Sequence, residues 1–179
     1  MRTPEQEKGD RFEIFLELML KKHSRIHKNK FYNIRRNVEY HRELLRYRQV
    51  DISYDYNAGS GMEFRIIEAK YSSNGKISYH LRSPRERKEG DHKEIIITNL
   101  IDEVCDKKEF VRAGAAVLAT NTGFEDKVKE EAAKHGIRIM EGTDLAVLYH
   151  QLGYEKTIDE EISSIDINRF NLHKSIIYI

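Results

Sequence analysis

The alternation of apolar and polar positions divides the chain into a regular series of elements. Thr3-Pro4-Glu5-Gln6 carries an N-cap, a first-turn proline and a capping-box residue. Behind it, Phe12, Phe15, Leu16 and Met19 recur at helical spacing, predicting a helix to about Lys22 with Glu13 beside the apolar stripe. Three strand-like stretches follow, at about 31–41, 49–56 and 63–71, the last two joined by the turn signal NAGSG. Residues 72–92 are polar and charged, and read as a mobile loop. Asp91 and Glu94 form a second capping-box pair, opening a helix with Ile95, Ile96, Leu100, Ile101 and Val104. Beyond it the pattern gives a strand at 115–120, a helix at 124–135 stopped by Gly136, a strand at 137–140, and a helix capped by Thr143 or Asp144 that reaches Leu152. Past Gly153 a helix is expected near 158–165 and a strand at 175–179. A meander followed by alternating strands and helices implies an α/β fold: a mixed sheet with helices on its faces.

Composition narrows the class. The chain has 179 residues, 39% apolar and 34% charged, which suits one globular domain. No apolar run is long enough for a membrane span, and the start MRTPEQEKGDRF lacks the apolar core of a secretory signal. Cys105 stands alone, so neither a disulfide framework nor a multi-cysteine zinc site is expected, and the cytoplasm is the expected compartment. Net charge is only +1, yet ten basic residues between Lys21 and Arg48, Arg35 and Arg36 among them, face only Glu39 and Glu43. Such a block can bind a polyanion or can simply be a solvated surface. The run Arg82, Arg85, Arg87, Lys88 has the same two readings: a clamp on DNA phosphates, or a charged loop.

Candidate chemistry begins with FRIIEAKYSS, residues 64–73. Glu68 and Lys70 share one face of a strand that is otherwise apolar, where an unpaired charge is expensive. Glu-x-Lys occurs also at Glu86 and Glu125, but only Glu68 continues an apolar strand that another strand precedes. That preceding strand, RQVDISYDY, brings Asp51 close to Glu68. Adjacent carboxylates raise each other's pKa, and a divalent cation removes the conflict. Few, hard oxygen ligands suit Mg²⁺. Lys70 would then steer the nucleophile and offset developing charge during phosphodiester hydrolysis, with Glu13 as a further acid. An ordinary surface ion pair is the plainer account of Glu68 and Lys70. Asp55 shares strand parity with Asp51 and is a possible second acid. Thr120 and Asn121 end a strand at the expected active edge, where they contact phosphate or cap the next helix. His23 and His27 have a zinc-compatible spacing but no evident third ligand.

The ordered set GDRFE at 9–13, VDI at 50–52 and IEAK at 67–70 resembles the restriction-endonuclease-like PD-(D/E)XK nuclease superfamily. VLATNTGF at 117–124, Gly136-Ile137 and GTDL at 142–145 resemble its Mrr-like restriction endonuclease branch. The resemblance covers about residues 9–150 and implies an α-β-β-β-α-β core flanked by helices, in a nuclease domain of residues 1–152. Residues 153–179 would form an extension packed on that domain or at a dimer contact. It further implies that Asp51, Glu68 and the Ala69 carbonyl bind Mg²⁺, with Mn²⁺ as a substitute. Lys70 would be the catalytic lysine and Glu13 an auxiliary acid. The expected activity is metal-dependent DNA endonuclease cleavage of duplex DNA by a homodimer. The alternatives are a structure-selective nuclease such as a Holliday-junction resolvase, and a non-catalytic nucleic-acid-binding protein of the same fold. The Mrr branch usually has Gln where Glu68 stands and a glycine-rich approach where this chain has LLRYRQVD, so methylation-dependent cleavage does not transfer.

Overall fold

The computed structural model describes residues 3–28, 30–43, 46–80, 99–170 and 172–179. Helix α1 spans Pro4–Ile26, four residues beyond the predicted end. Its Thr3–Gln6 capping box is formed. Strands β1 (Phe31–Glu43), β2 (Arg46–Asn57) and β3 (Met62–Lys70) make the meander. They are followed by α2 (Leu100–Phe110), β4 (Ala115–Thr120), α3 (Asp126–Lys134), β5 (Arg138–Met140), α4 (Gly142–Gln151), α5 (Ile158–Ser164), a short 3₁₀ turn and β6 (Ser175–Tyr178).

The six strands form one sheet in the order β5-β4-β3-β2-β1-β6. The β1-β2-β3 meander is antiparallel, while β4, β5 and β6 each join in parallel. Parallel β4 and β5 need crossovers, and α2 and α3 supply them. The result is a mixed α/β fold, a six-stranded sheet flanked by helices, in accord with a restriction-endonuclease-like core.

Two apolar layers follow from strand alternation. On one face Ile67 and Val117 pack with Phe12, Phe15 and Leu16 of α1, Leu145 of α4 and Ile162 of α5. On the other, Ile66 and Leu118 pack with Ile101 and Val104 of α2 and Val128 of α3. β2 departs from simple alternation: Val50 belongs to the second layer and Ile52, two residues on, to the first. β2 therefore turns over at Asp51. Across from it, between the Arg36–Ile52 and Val38–Val50 pairs, Asn37 is left-handed at φ 54°. Asparagine tolerates that conformation better than most residues. The Asn37 side chain also accepts a hydrogen bond from Gln49 (3.1 Å) and donates one to the Leu172 carbonyl (3.2 Å).

Two expected caps differ. The helix after β5 starts at Gly142 with Glu141 as N-cap, and Asp144 accepts the Glu141 N–H at 2.9 Å rather than capping the helix itself. An acid at the N-cap followed by one three residues later does the work expected of Thr143 or Asp144 alone. The described part of α2 is capped by Asn99, whose side chain accepts from Asp102 N–H at 2.8 Å. The proposed Asp91–Glu94 cap and the helical positions of Ile95 and Ile96 lie outside the described residues. Among the described residues no helix is long and apolar enough to cross a membrane.

Candidate active site at the β2–β3 fork

Pairing between β2 and β3 runs from Asn57–Met62 to Ile52–Ile67 and stops there, while β3 stays paired with β4 as far as Lys70–Thr120. The two strands part like a fork, and Asp51 and Glu68 are the first residues past its crotch. Both are buried, at 8% and 3% exposure. Asp51 Oδ2 accepts a hydrogen bond from the Ala69 N–H at 2.8 Å, which locks its carboxylate against β3. In an extended strand the N–H and C=O of one residue point the same way, so the Ala69 carbonyl also faces the fork, where pairing with β2 has ended.

Glu68 is held by two ammonium groups. Lys70 Nζ donates to its Oε1 at 2.8 Å, and Lys107 Nζ, from α2, donates to its Oε2 at 2.7 Å. Glu103, one turn before Lys107, lies 3.0 Å from Lys107 and 3.5 Å from Lys70. α1 closes the other side with Glu13, which shares an electrostatic environment with Asp51, Glu68, Asp10 and Arg36. The predicted set Asp51, Glu68, Ala69, Lys70 and Glu13 is thus gathered at one place.

These neighbours act unequally on the acids. Burial pushes the Glu13 carboxyl up to about 9, aided by Asp51 and only partly opposed by Arg36. Burial and the Glu68 charge raise Asp51 to about 6 against the pull of Lys107 and Lys70. For Glu68, burial pushes upward but the two lysines overcome it and hold the carboxyl down at about 2. Burial opposes the charge on Lys70 and Lys107, yet Glu68 and the surrounding acids raise both ammonium pKa values above the ordinary lysine range. Within a single cluster Glu68 is thus held ionised by two ammoniums, Asp51 is raised, and Glu13 keeps its proton at neutral pH. Perturbations this divergent among neighbouring acids are typical of functional sites.

The donor set fits a divalent cation of the Mg²⁺ type. Among the described residues no three His, Cys, Asp or Glu side chains are grouped to hold a metal on their own. Two carboxylates and a backbone carbonyl remain, a sparse all-oxygen set, and Mg²⁺ retains several waters when protein ligands are few. Burial, and after it the Glu68 charge, holds Asp51 above the ordinary carboxylate range, and a cation between the two acids would relieve the second of these.

Lys107 and Glu103 are absent from the sequence reading. Their four-residue spacing on α2 was the available signal, but it also describes any exposed helical ion pair. Other candidates lie apart from this cluster or have structural roles. Both polar atoms of Asn121 are committed to the Ser72 backbone, accepting from its N–H at 2.9 Å and donating to its carbonyl at 3.0 Å. Thr120 is fully buried beside Lys70, with its Oγ1 3.3 Å from the Thr122 N–H. Arg36 pairs with Glu17 at 2.9 Å, and Asp55 accepts from Asn33 at 2.6 Å. Arg35 lies near the Tyr40 hydroxyl, on β1. The His23 and His27 rings sit 4.3 Å apart, with burial first and then His27 and Lys30 lowering the His23 pKa. Arg82, Arg85, Arg87 and Lys88 lie outside the described residues.

No family model and no curated protein matches this chain. Two solved structures align with this chain. A protein of unknown function, AF1548, aligns with a TM-score of 0.54 at 18% identity, over 82% of this chain and 70% of its own. The MspJI restriction endonuclease, solved in complex with a 27-mer oligonucleotide, aligns with a TM-score of 0.37 at 11% identity, over 87% of this chain and 36% of its own. At these identities the first similarity speaks to the fold alone.

Proposed function

We propose that this protein is a Mg²⁺-dependent DNA endonuclease that hydrolyses phosphodiester bonds in the cytoplasm, with a site akin to those of the PD-(D/E)XK superfamily and its Mrr-like branch. The observation that carries the proposal is the fork itself: two buried carboxylates, a free-facing carbonyl and an ammonium meet where two paired strands separate.

Asp51, Glu68 and the Ala69 carbonyl would hold the cation. When bound, it supplies Lewis acidity and charge neutralisation for attack of water on the phosphodiester. Lys70 remains protonated because Glu68 and its acid neighbours favour the charged form. Its side chain is 27% exposed, the most open of the groups around Glu68, and from there the ammonium would donate to a phosphate oxygen and orient the attacking water. Glu13, protonated at neutral pH, keeps a proton at its carboxyl and limits negative charge in the cluster. Asp51 is mostly ionised above its raised value and so is ready as a ligand at neutral pH. Duplex cleavage needs two such centres, which a homodimer provides.

The test is nicking of supercoiled plasmid with Mg²⁺ or Mn²⁺, wild type beside Asp51→Ala and Lys70→Ala. Each variant should lose at least about a hundredfold in rate, the scale set by removing a group that acts on the transition state. Variants that cut as fast as wild type would refute the assignment. A four-way junction run beside linear duplex separates a general endonuclease from a resolvase. DNA binding without cleavage under any divalent metal would instead mark a binding protein on this fold.

A further inference from the structure

Glu68 has one ammonium more than the proposed chemistry requires. Lys70 already neutralises Oε1 and, as the more exposed amine, faces the substrate side. Lys107 is only 12% exposed, grips Oε2 at 2.7 Å, and comes from a different element. A cation that is to use Glu68 must displace an ammonium from one of its oxygens. Lys70 can swing toward solvent, but Lys107 is enclosed and must keep an anionic partner, because an unpaired buried ammonium is heavily penalised. Glu103 supplies that partner, with its Oε1 already 3.0 Å from Lys107 Nζ and one helical turn away.

We propose that Lys107 is a positioning residue that guards Glu68: its ammonium occupies Oε2 in the metal-free protein and is handed to Glu103 when the divalent cation binds. The guard keeps Glu68 ionised and oriented before the metal arrives. It also sets the metal affinity lower than the acids alone would give. This inference rests on the metal-dependent reading above and extends it to residues on α2.

The experiment is calorimetric titration of Mn²⁺ and Mg²⁺ into metal-free protein, without nucleic acid, with thermal melts confirming that each variant is folded. Lys107→Met should tighten metal binding at least about tenfold, and Lys107→Arg, which keeps the charge, should stay within about threefold of wild type. Glu103→Gln should weaken binding, and that loss should shrink in the Lys107→Met background, because no hand-over remains to be disrupted. A structural ion pair predicts unchanged or weaker binding in Lys107→Met and independent effects in the double variant. If Lys107→Met does not fold, Lys107→Gln takes its place, and the Arg and Glu103 variants still report. Wild type that binds metal with no tightening in Lys107→Met overturns the guard alone. No uptake by either protein overturns both the guard and the metal-dependent function. Uptake by Lys107→Met with none by wild type overturns the hand-over to Glu103, because the ammonium then never leaves Glu68.

Discussion

Replacing Glu13 by Gln should stabilise the metal-free protein, and by an amount that grows with pH. The Glu13 carboxyl is raised from 4.5 to about 9, chiefly by burial and then by the Asp51 charge. Across that interval the native state holds a proton that the unfolded chain has released. Unfolding then releases that proton, so stability falls as pH rises, by about 1.4 kcal/mol per unit for a full proton difference. The contribution is fully present below 4.5 and is lost as pH climbs through about 9. At pH 7 the accumulated loss is about 3 kcal/mol, reduced to roughly 2 kcal/mol by the partial exposure of the side chain. Gln keeps the size and abolishes the linkage, so Glu13→Gln should gain about that amount at pH 7 and little at pH 5. Asp51, raised to about 6, adds a similar slope at lower pH, but it is common to both proteins and drops out of the difference to first order. Glu68, held at about 2, contributes a constant stabilising amount above its unfolded value and is lost only in strong acid.

Urea unfolding of both proteins in chelator at pH 5, 6, 7 and 8 measures the difference directly. A second series with saturating Mg²⁺ should flatten the wild-type slope, because the cation favours ionised acids around it. A stability difference that is constant with pH, or one that favours wild type at pH 8, would refute the electrostatic account of Glu13.

Two further substitutions test the scaffold that holds the fork. In Gly142→Ala the added methyl carbon would sit 2.2 Å from the Asn121 carbonyl oxygen, a backbone atom that cannot yield cheaply. A loss of about 1–3 kcal/mol is expected by chemical denaturation, with nicking reduced in step because Asn121 ties the ends of β3 and β4. Phe124→Ala empties a fully buried position in the layer beneath α2 and α3 and should cost about 3–5 kcal/mol, read as a lower urea midpoint at unchanged slope.

What the sequence could convey of this site follows from how local each signal is. Alternation within VDISY and FRIIEAK, with the NAGSG turn between them, was enough to set two strands side by side and to bring Asp51 near Glu68, one step past their last pair. Asp51, Glu68 and Lys70 were visible because each breaks an apolar strand pattern, and a polar residue amid buried ones demands a partner; Glu13 lies beside the apolar stripe of its helix and was marked by the resemblance. Lys107 and Glu103 break no pattern. On α2 they belong to a charged face that any solvated helix would carry, and only the crossover from β3 to β4 swings that face over the fork. Similarly, the turning over of β2 at Asp51 depends on left-handed Asn37 in the neighbouring strand, which strict period-two alternation does not register. The longer β1–β2 hairpin escaped for the opposite reason, since its outer positions are polar on both faces and resemble a loop.

The fork also explains why the cluster has to be built from three directions. A carboxylate pair inside an intact ladder would leave no backbone carbonyl to share and no room for water. At the end of a ladder, the same pair gains both, but it loses the cross-strand bonds that would fix its geometry. The Ala69 N–H replaces one of them by holding Asp51, and the two lysines replace others by holding Glu68. These substitutes are hydrogen bonds to charged groups, stronger than the neutral bonds they stand in for and exchangeable for a cation. A site made this way is ordered before it is loaded. Its electrostatic strain is concentrated on Asp51 and Glu13, the two acids that the lysines do not grip. Metal uptake should therefore stabilise the fold most at alkaline pH, where those two acids are otherwise least content to be ionised together.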